Sequence, residues 1–104
     1  MPQSTVKDVG DAKQVQQSKK KFELVRDREL EEIRRILKEE WGRGFLHRIL
    51  GECHTYRSTS NSDAHTMAVL SGQRDIGLWL LSEIEQADPN GYVKLLQENI
   101  NRNS

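Results

Sequence analysis

Few residues in this chain have the types and spacing that could do chemistry. Cys53 and His54 are adjacent, with His47 and His65 nearby. A thiol beside an imidazole is the raw material of a nucleophilic pair, and three histidines with a cysteine are that of a metal centre. The spacing argues against both. Zinc sites normally draw four ligands, usually as Cys-x-x-Cys or His-x-x-x-His, and neither pattern occurs. A catalytic cysteine also needs an orienting third group and an oxyanion hole, which no pattern here supplies. Cys53 falls on an apolar helical stripe and is expected to be a small buried hydrophobe. No catalytic residue, metal ligand or cofactor site is expected, and an enzyme is the least favoured class.

The Gly42-Arg43-Gly44 tripeptide has the look of an anion-binding turn. A P-loop, however, follows its glycines with Lys-Ser/Thr and precedes them with a strand, and neither is present. A glycine turn opening a helix can hold an anion on its free amides, but a plain joint between two helices is the simpler expectation, with Arg43 exposed near the bend. Lys13 and the run Lys19, Lys20, Lys21 offer salt-sensitive phosphate contact. Glu29 lies in one apolar arc and Arg74 beside another, so they either pair or reach separately to solvent.

The elements that must position these residues follow from periodicity. Residues 1–18 are polar and aperiodic and are expected to form a disordered arm. Phe22, Val25, Leu30, Ile33, Ile36 and Leu37 recur at three- and four-residue steps, predicting a helix over about 19–40. Glu31 with Arg34 and Arg35 supports it, as does Glu23 with Arg26. Trp41, Phe45, Leu46, Ile49, Leu50 and Cys53 predict a second helix over 43–53. The Ser/Thr/Asn-rich stretch 54–65 is a loop in which Ser62 or Asp63 can cap the next helix. That helix, 64–87, carries Val69, Leu70, Ile76, Leu80, Leu81, Ile84 and Ala87. Leu78 and Trp79 fall outside its arc, so residues 76–81 are apolar almost all round. Such a helix is either central or has a second face for a partner. Asp88-Pro89 opens a fourth helix over 89–101, through Tyr92, Val93, Leu96 and Ile100. Nothing alternates with period two. The fold class is all-α, a small four-helix domain (19–104) with a flexible N-terminal arm.

The totals set the limits. In 104 residues, 35% are hydrophobic and 31% charged, with 16 cationic side chains against 16 carboxylates. The core must be small, and no net charge advertises a polyanionic partner. A single cysteine suits a reducing compartment. No segment approaches a membrane span or a signal peptide. A helix-turn-helix reader of DNA is disfavoured, because its joint is three or four residues and the 54–65 loop is far longer.

The pieces "GRGFLHRIL", "YRSTSNSD", "SGQRDIGLWLLSEI" and "ADPNGYVKLLQE" together resemble a family of small, poorly characterised bacteriophage proteins of short-tailed phages, over about residues 42–98. Gly44 stands where the pattern has a second arginine, and His47 where it has an aromatic residue. The resemblance implies a phage gene product, often encoded near portal and head genes, and no known chemistry. Gly72 and Gly77 would let another backbone approach the third helix. Arg57 and Arg74 could hold the loop on that helix through carbonyl hydrogen bonds, or face a partner or DNA phosphate.

Two classes of function follow. One is a non-enzymatic protein of virion structure or assembly, docking on a phage structural protein or on itself through Leu78, Trp79, Arg43, Arg57 and Arg74. The other is a nucleic-acid-associated packaging or ejection factor using Lys19, Lys20 and Lys21, or a small host-directed inhibitor. The expected location is the host cytoplasm during assembly, and the virion for a structural component.

Overall fold

The computed structural model describes residues 4–102, and all of its regular structure is helical: α1 (Ser4–Lys38), α2 (Glu40–Glu52), α3 (Ala64–Ala87) and α4 (Pro89–Arg102). The all-α, four-helix expectation holds.

The first helix is longer than its apolar stripe. It extends back to Ser4 instead of beginning near Lys19, and only residues 1–3 of the expected arm lie outside the described residues. Burial and helicity separate here. Residues 10–21 are all exposed, as expected of an arm with too few apolar side chains to pack. Helicity is local, and the run Ala12-Lys13-Gln14 to Gln16-Gln17 contains good helix formers and no proline. The arm therefore projects as a helix. A 35-residue helix is about 52 Å long, and the molecule measures 69 × 39 × 14 Å. Its radius of gyration is 20.5 Å, against about 13 Å for a globular chain of this size.

The break between α1 and α2 is at Glu39, which is extended (φ −100°, ψ 139°). Gly42, Arg43 and Gly44 lie inside α2, so the expected joint at this tripeptide is corrected by three residues. Gly42 serves close approach instead. A Cβ there would overlap the Ile36 carbonyl oxygen and sit 2.8 Å from its carbon and 2.9 Å from Ile36 Cγ2. With no side chain at Gly42, the first turn of α2 folds back directly against the last turns of α1.

The other boundaries follow the sequence chemistry. Asp63 accepts from the Thr66 amide at 3.1 Å and caps α3. The Thr66 hydroxyl, which donates to the same carboxylate at 2.5 Å, and this amide favour the ionised carboxyl and hold Asp63 below the usual carboxylate range. Asp88 donates its amide to Ile84 O at 2.9 Å, closing α3, and accepts from Tyr92 N at 3.2 Å, opening α4. His54 sits at φ 55°, just past the end of α2, where a left-handed residue stops a helix.

Leu50, Ile84 and Leu95 are fully buried, and Leu37, Leu46 and Ala87 nearly so. Ile33, Ile36, Leu80, Leu81, Tyr92 and Leu96 pack around this centre. The core thus lies where the last turns of α1 and α3 meet the second half of α2 and the middle of α4. Gly77 admits the loop: a Cβ there would overlap Thr55 Oγ1 and lie 2.9 Å from Cys53 Cβ. Thr55 is 2% exposed and donates to Leu50 O at 2.8 Å. Close approach at Gly77 is thus made by the loop's side chains, whereas Gly72 has nothing within 4 Å of its Cβ position.

Candidate interaction surface

Five of the six aromatic residues lie on the outside: Phe22 (74% exposed), Trp41, Phe45, Tyr56 and Trp79 (60%). Only Tyr92 packs against the core. Large aromatic side chains are the costliest to leave in water and the commonest anchors of protein interfaces. Phe22, Val25, Trp41, Phe45, Val69 and Ile76 belong to stripes that the sequence assigns to the core. The structure puts all six in solvent.

Two helices carry most of this surface. α1 and α3 run in the same direction where they meet. The Arg26 guanidinium donates to both Glu83 oxygens, with Nη1 to Oε1 at 2.9 Å, and to Gln86 Oε1 at 2.9 Å. Further along, Arg34 Nε donates to Ala87 O at 2.8 Å. Arg26 takes Glu29 and Glu83 as partners instead of the expected Glu23, while Glu31 does pair with Arg34 and Arg35. One turn before this crossing stand Phe22 on α1 and Trp79 on α3. The sequence alternatives for residues 76–81 are thereby resolved: Ile76, Leu78 and Trp79 are exposed, so α3 is not central and its second face is open.

The Arg26–Glu83 pair fixes the angle of that surface. Its hydrogen bonds hold the Glu83 carboxyl below the usual carboxylate range, against the opposing effect of burial. A depressed folded-state pKa contributes stability that is complete above the unfolded value of about 4.3 and is lost as pH falls through the folded value. Acidification from neutrality to below about pH 4 should therefore lower the urea midpoint. Glu83→Gln should lower the midpoint at neutral pH and flatten this acid dependence. An unchanged slope in the variant would show that the pair does not contribute.

The residues singled out in the sequence do not converge on one site. Arg43 is not exposed. It is 5% accessible, donates to Leu37 O at 2.6 Å, and holds Glu98 through Nε at 2.9 and 3.0 Å and Nη2 at 2.7 Å. The Glu98 carboxylate keeps the guanidinium charged despite its burial. Arg43 is thus an internal clamp across α1, α2 and α4, and its expected exposure near a bend is corrected. Arg74 lies on α3 and donates from Nε to Thr55 O at 3.3 Å, holding the loop; it does not meet Glu29. Arg57 is exposed beside His47, Arg48, Glu52 and His54 around a shallow concavity. Leu78 and Trp79 are on the open face of α3, and Lys19, Lys20 and Lys21 are exposed on the projecting part of α1. Cys53 is half-buried beside Gly77. Among the described residues no three His, Cys, Asp or Glu side chains converge on a point that could hold a metal ion. Among the described residues no helix is long and apolar enough to cross a membrane.

Residues 33–97 match the family of Bbp19-like phage proteins. The chain belongs to that family. No curated protein and no solved structure matches it. The span shared with Bbp19-like phage proteins begins earlier than the sequence resemblance, at Ile33, and takes in every buried core residue, Arg43, the 54–63 loop and the exposed aromatics of α2 and α3. Phe22, Arg26 and the lysine run precede it.

Proposed function

We propose that this phage protein acts without catalysis, in virion structure or assembly, by docking its exposed apolar helices on phage structural proteins or on its own kind. The observation that supports this reading is the placement of five of six aromatics in water on a fold whose core is only a few leucines and isoleucines. A lone small domain gains nothing from such exposure, whereas a desolvated interface draws most of its energy from residues of this type. The setting is that of a short-tailed phage gene near portal and head genes, with the product in the host cytoplasm during assembly.

Mass spectrometry of purified particles tests it, together with affinity capture from infected cells. Recovery at a fixed copy number, or in a complex with portal or head protein, is the expected result. Expression in infected cells with neither outcome would overturn the reading.

A second reading rests on Lys13, Lys19, Lys20 and Lys21, which are exposed and make no ion pair among the described residues. A factor of packaging or ejection would bind duplex DNA at low ionic strength through them and release it as salt rises.

A further inference from the structure

Two exposed stripes in this chain have the same spacing. On α1 it is Val15, Ser18, Phe22, Val25; on α3 it is Val69, Gly72, Ile76, Trp79. Each advances by three, four and three residues, the step of a seam between two packed helices. All eight positions are exposed, so neither stripe is covered by the chain's own fold. We infer that each stripe is covered by the other stripe of a second copy, α1 of one molecule lying antiparallel on α3 of its partner, in a reciprocal two-fold dimer. This rests on the protein-contact reading above and names one partner, a second copy of this chain.

Shape and charge both favour this pairing. In antiparallel register Val15 faces Trp79, Ser18 faces Ile76, Phe22 faces Gly72 and Val25 faces Val69. Every large side chain then meets a small or medium one. Phe22 lies over the bare backbone of Gly72, whose Cβ position has nothing within 4 Å in the single chain. Parallel register would set Phe22 on Ile76 and Ser18 on Gly72, crowding one layer and leaving a void in the next.

The charges sort the same way. Residues 1–22 carry five lysines against two aspartates, and residues 23–104 carry eleven cationic side chains against fourteen carboxylates. Arm against arm would press Lys19 and Lys21 onto their own copies. Arm against α3 brings Lys21 beside Asp75, which flanks the second stripe and has no ion-pair partner among the described residues.

The topology closes. Within one molecule α1 and α3 run in the same direction from the Arg26–Glu83 crossing. A two-fold axis across them reverses both helices of the second copy at once. Both stripes of both copies are then used, and no open end remains to propagate a filament.

Sedimentation of the full chain is the test. The wild type should be a dimer at micromolar concentration. Phe22→Asp and Trp79→Asp, both on exposed positions, should each weaken association by about 100-fold or more, with helicity by circular dichroism unchanged. Mixed one to one, the two variants should associate again, because one intact stripe pair survives in the mixed dimer and none in either parent. Lys21→Glu should weaken the dimer, and adding Asp75→Lys should restore it.

A monomeric wild type overturns the proposal. A Trp79→Asp dimer as tight as wild type overturns it in favour of arm-to-arm pairing, as does failure of the mixture to associate. Salt-sensitive DNA binding by a chain that stays monomeric overturns it in favour of a nucleic-acid role for the lysines. A monomer still found in particles at fixed copy number would sink the dimer and leave the proposed function standing.

Discussion

Gly42→Ala is expected to destabilise the fold by about 3 kcal/mol, against a gain of about 1 kcal/mol that helix propensity alone would give. The two effects have opposite signs, so the measurement is decisive. In an isolated helix the added methyl removes backbone entropy from the unfolded chain and stabilises. Here it would occupy space already filled by the Ile36 carbonyl and by Ile36 Cγ2. A carbonyl within a helix cannot step aside as a flexible side chain can. The start of α2 must therefore lift from α1, and Leu46 and Leu50, which sit on the next turns, lose their fit against the core. Thermal or urea unfolding checks it, with a fall in Tm of more than about 10 °C expected for a chain of this size. Gly51→Ala is the control, since nothing lies within 4 Å of its Cβ position; it should be neutral or slightly stabilising. A rise in Tm for Gly42→Ala would mean that α2 does not fold back on α1 at this residue.

Arg43→Ala is expected to cost about 3 kcal/mol, the lower end of the range for breaking a buried ion pair. Glu98 keeps part of its side chain in solvent, at 22% accessibility, which softens the loss. Removing the guanidinium takes the forked Arg43 hydrogen bonds from the Glu98 carboxylate and the Arg43 donor from the Leu37 carbonyl at the end of α1. Arg43→Lys should recover little, because an ammonium cannot fork to a carboxylate and reach a carbonyl together. The double change Arg43→Met with Glu98→Met should recover much of it, since both charges of the pair are then gone from the site. The same set separates an internal clamp from a docking residue. A clamp variant loses stability in proportion to any loss of binding, and a docking variant loses binding alone. Full stability in Arg43→Ala would refute the clamp.

Much of the architecture was legible in the sequence because it depends on neighbours within a few residues. The α3 cap at Asp63, the α3–α4 boundary at Asp88-Pro89 and the ion pairs of Glu31 with Arg34 and Arg35 are all contacts within four positions. So is the all-α class, since amphipathic period and the absence of alternation are local properties. Gly42-Arg43-Gly44 shows the limit of that reasoning. Two glycines beside a charged run suggest a break, and sequence spacing offers no hint that one of them is needed to touch Ile36.

The tertiary structure decided which side of each stripe is inside. Periodicity tells that Phe22, Trp41, Phe45 and Ile76 share faces with core residues, but burial depends on how many faces the other helices can cover. Four helices with a core built around Leu50, Ile84 and Leu95 cover only one end of α1 and part of α3. The remaining apolar surface follows the same helical period as the core and carries no separate mark in the sequence. Arg43 went the other way for the same reason. An arginine is placed outside by its type, and only the arrival of Glu98, 55 residues later in the chain, makes its burial affordable. Local chemistry set the helices and most of their ends; the long-range contacts set what those helices hide and what they leave for a partner.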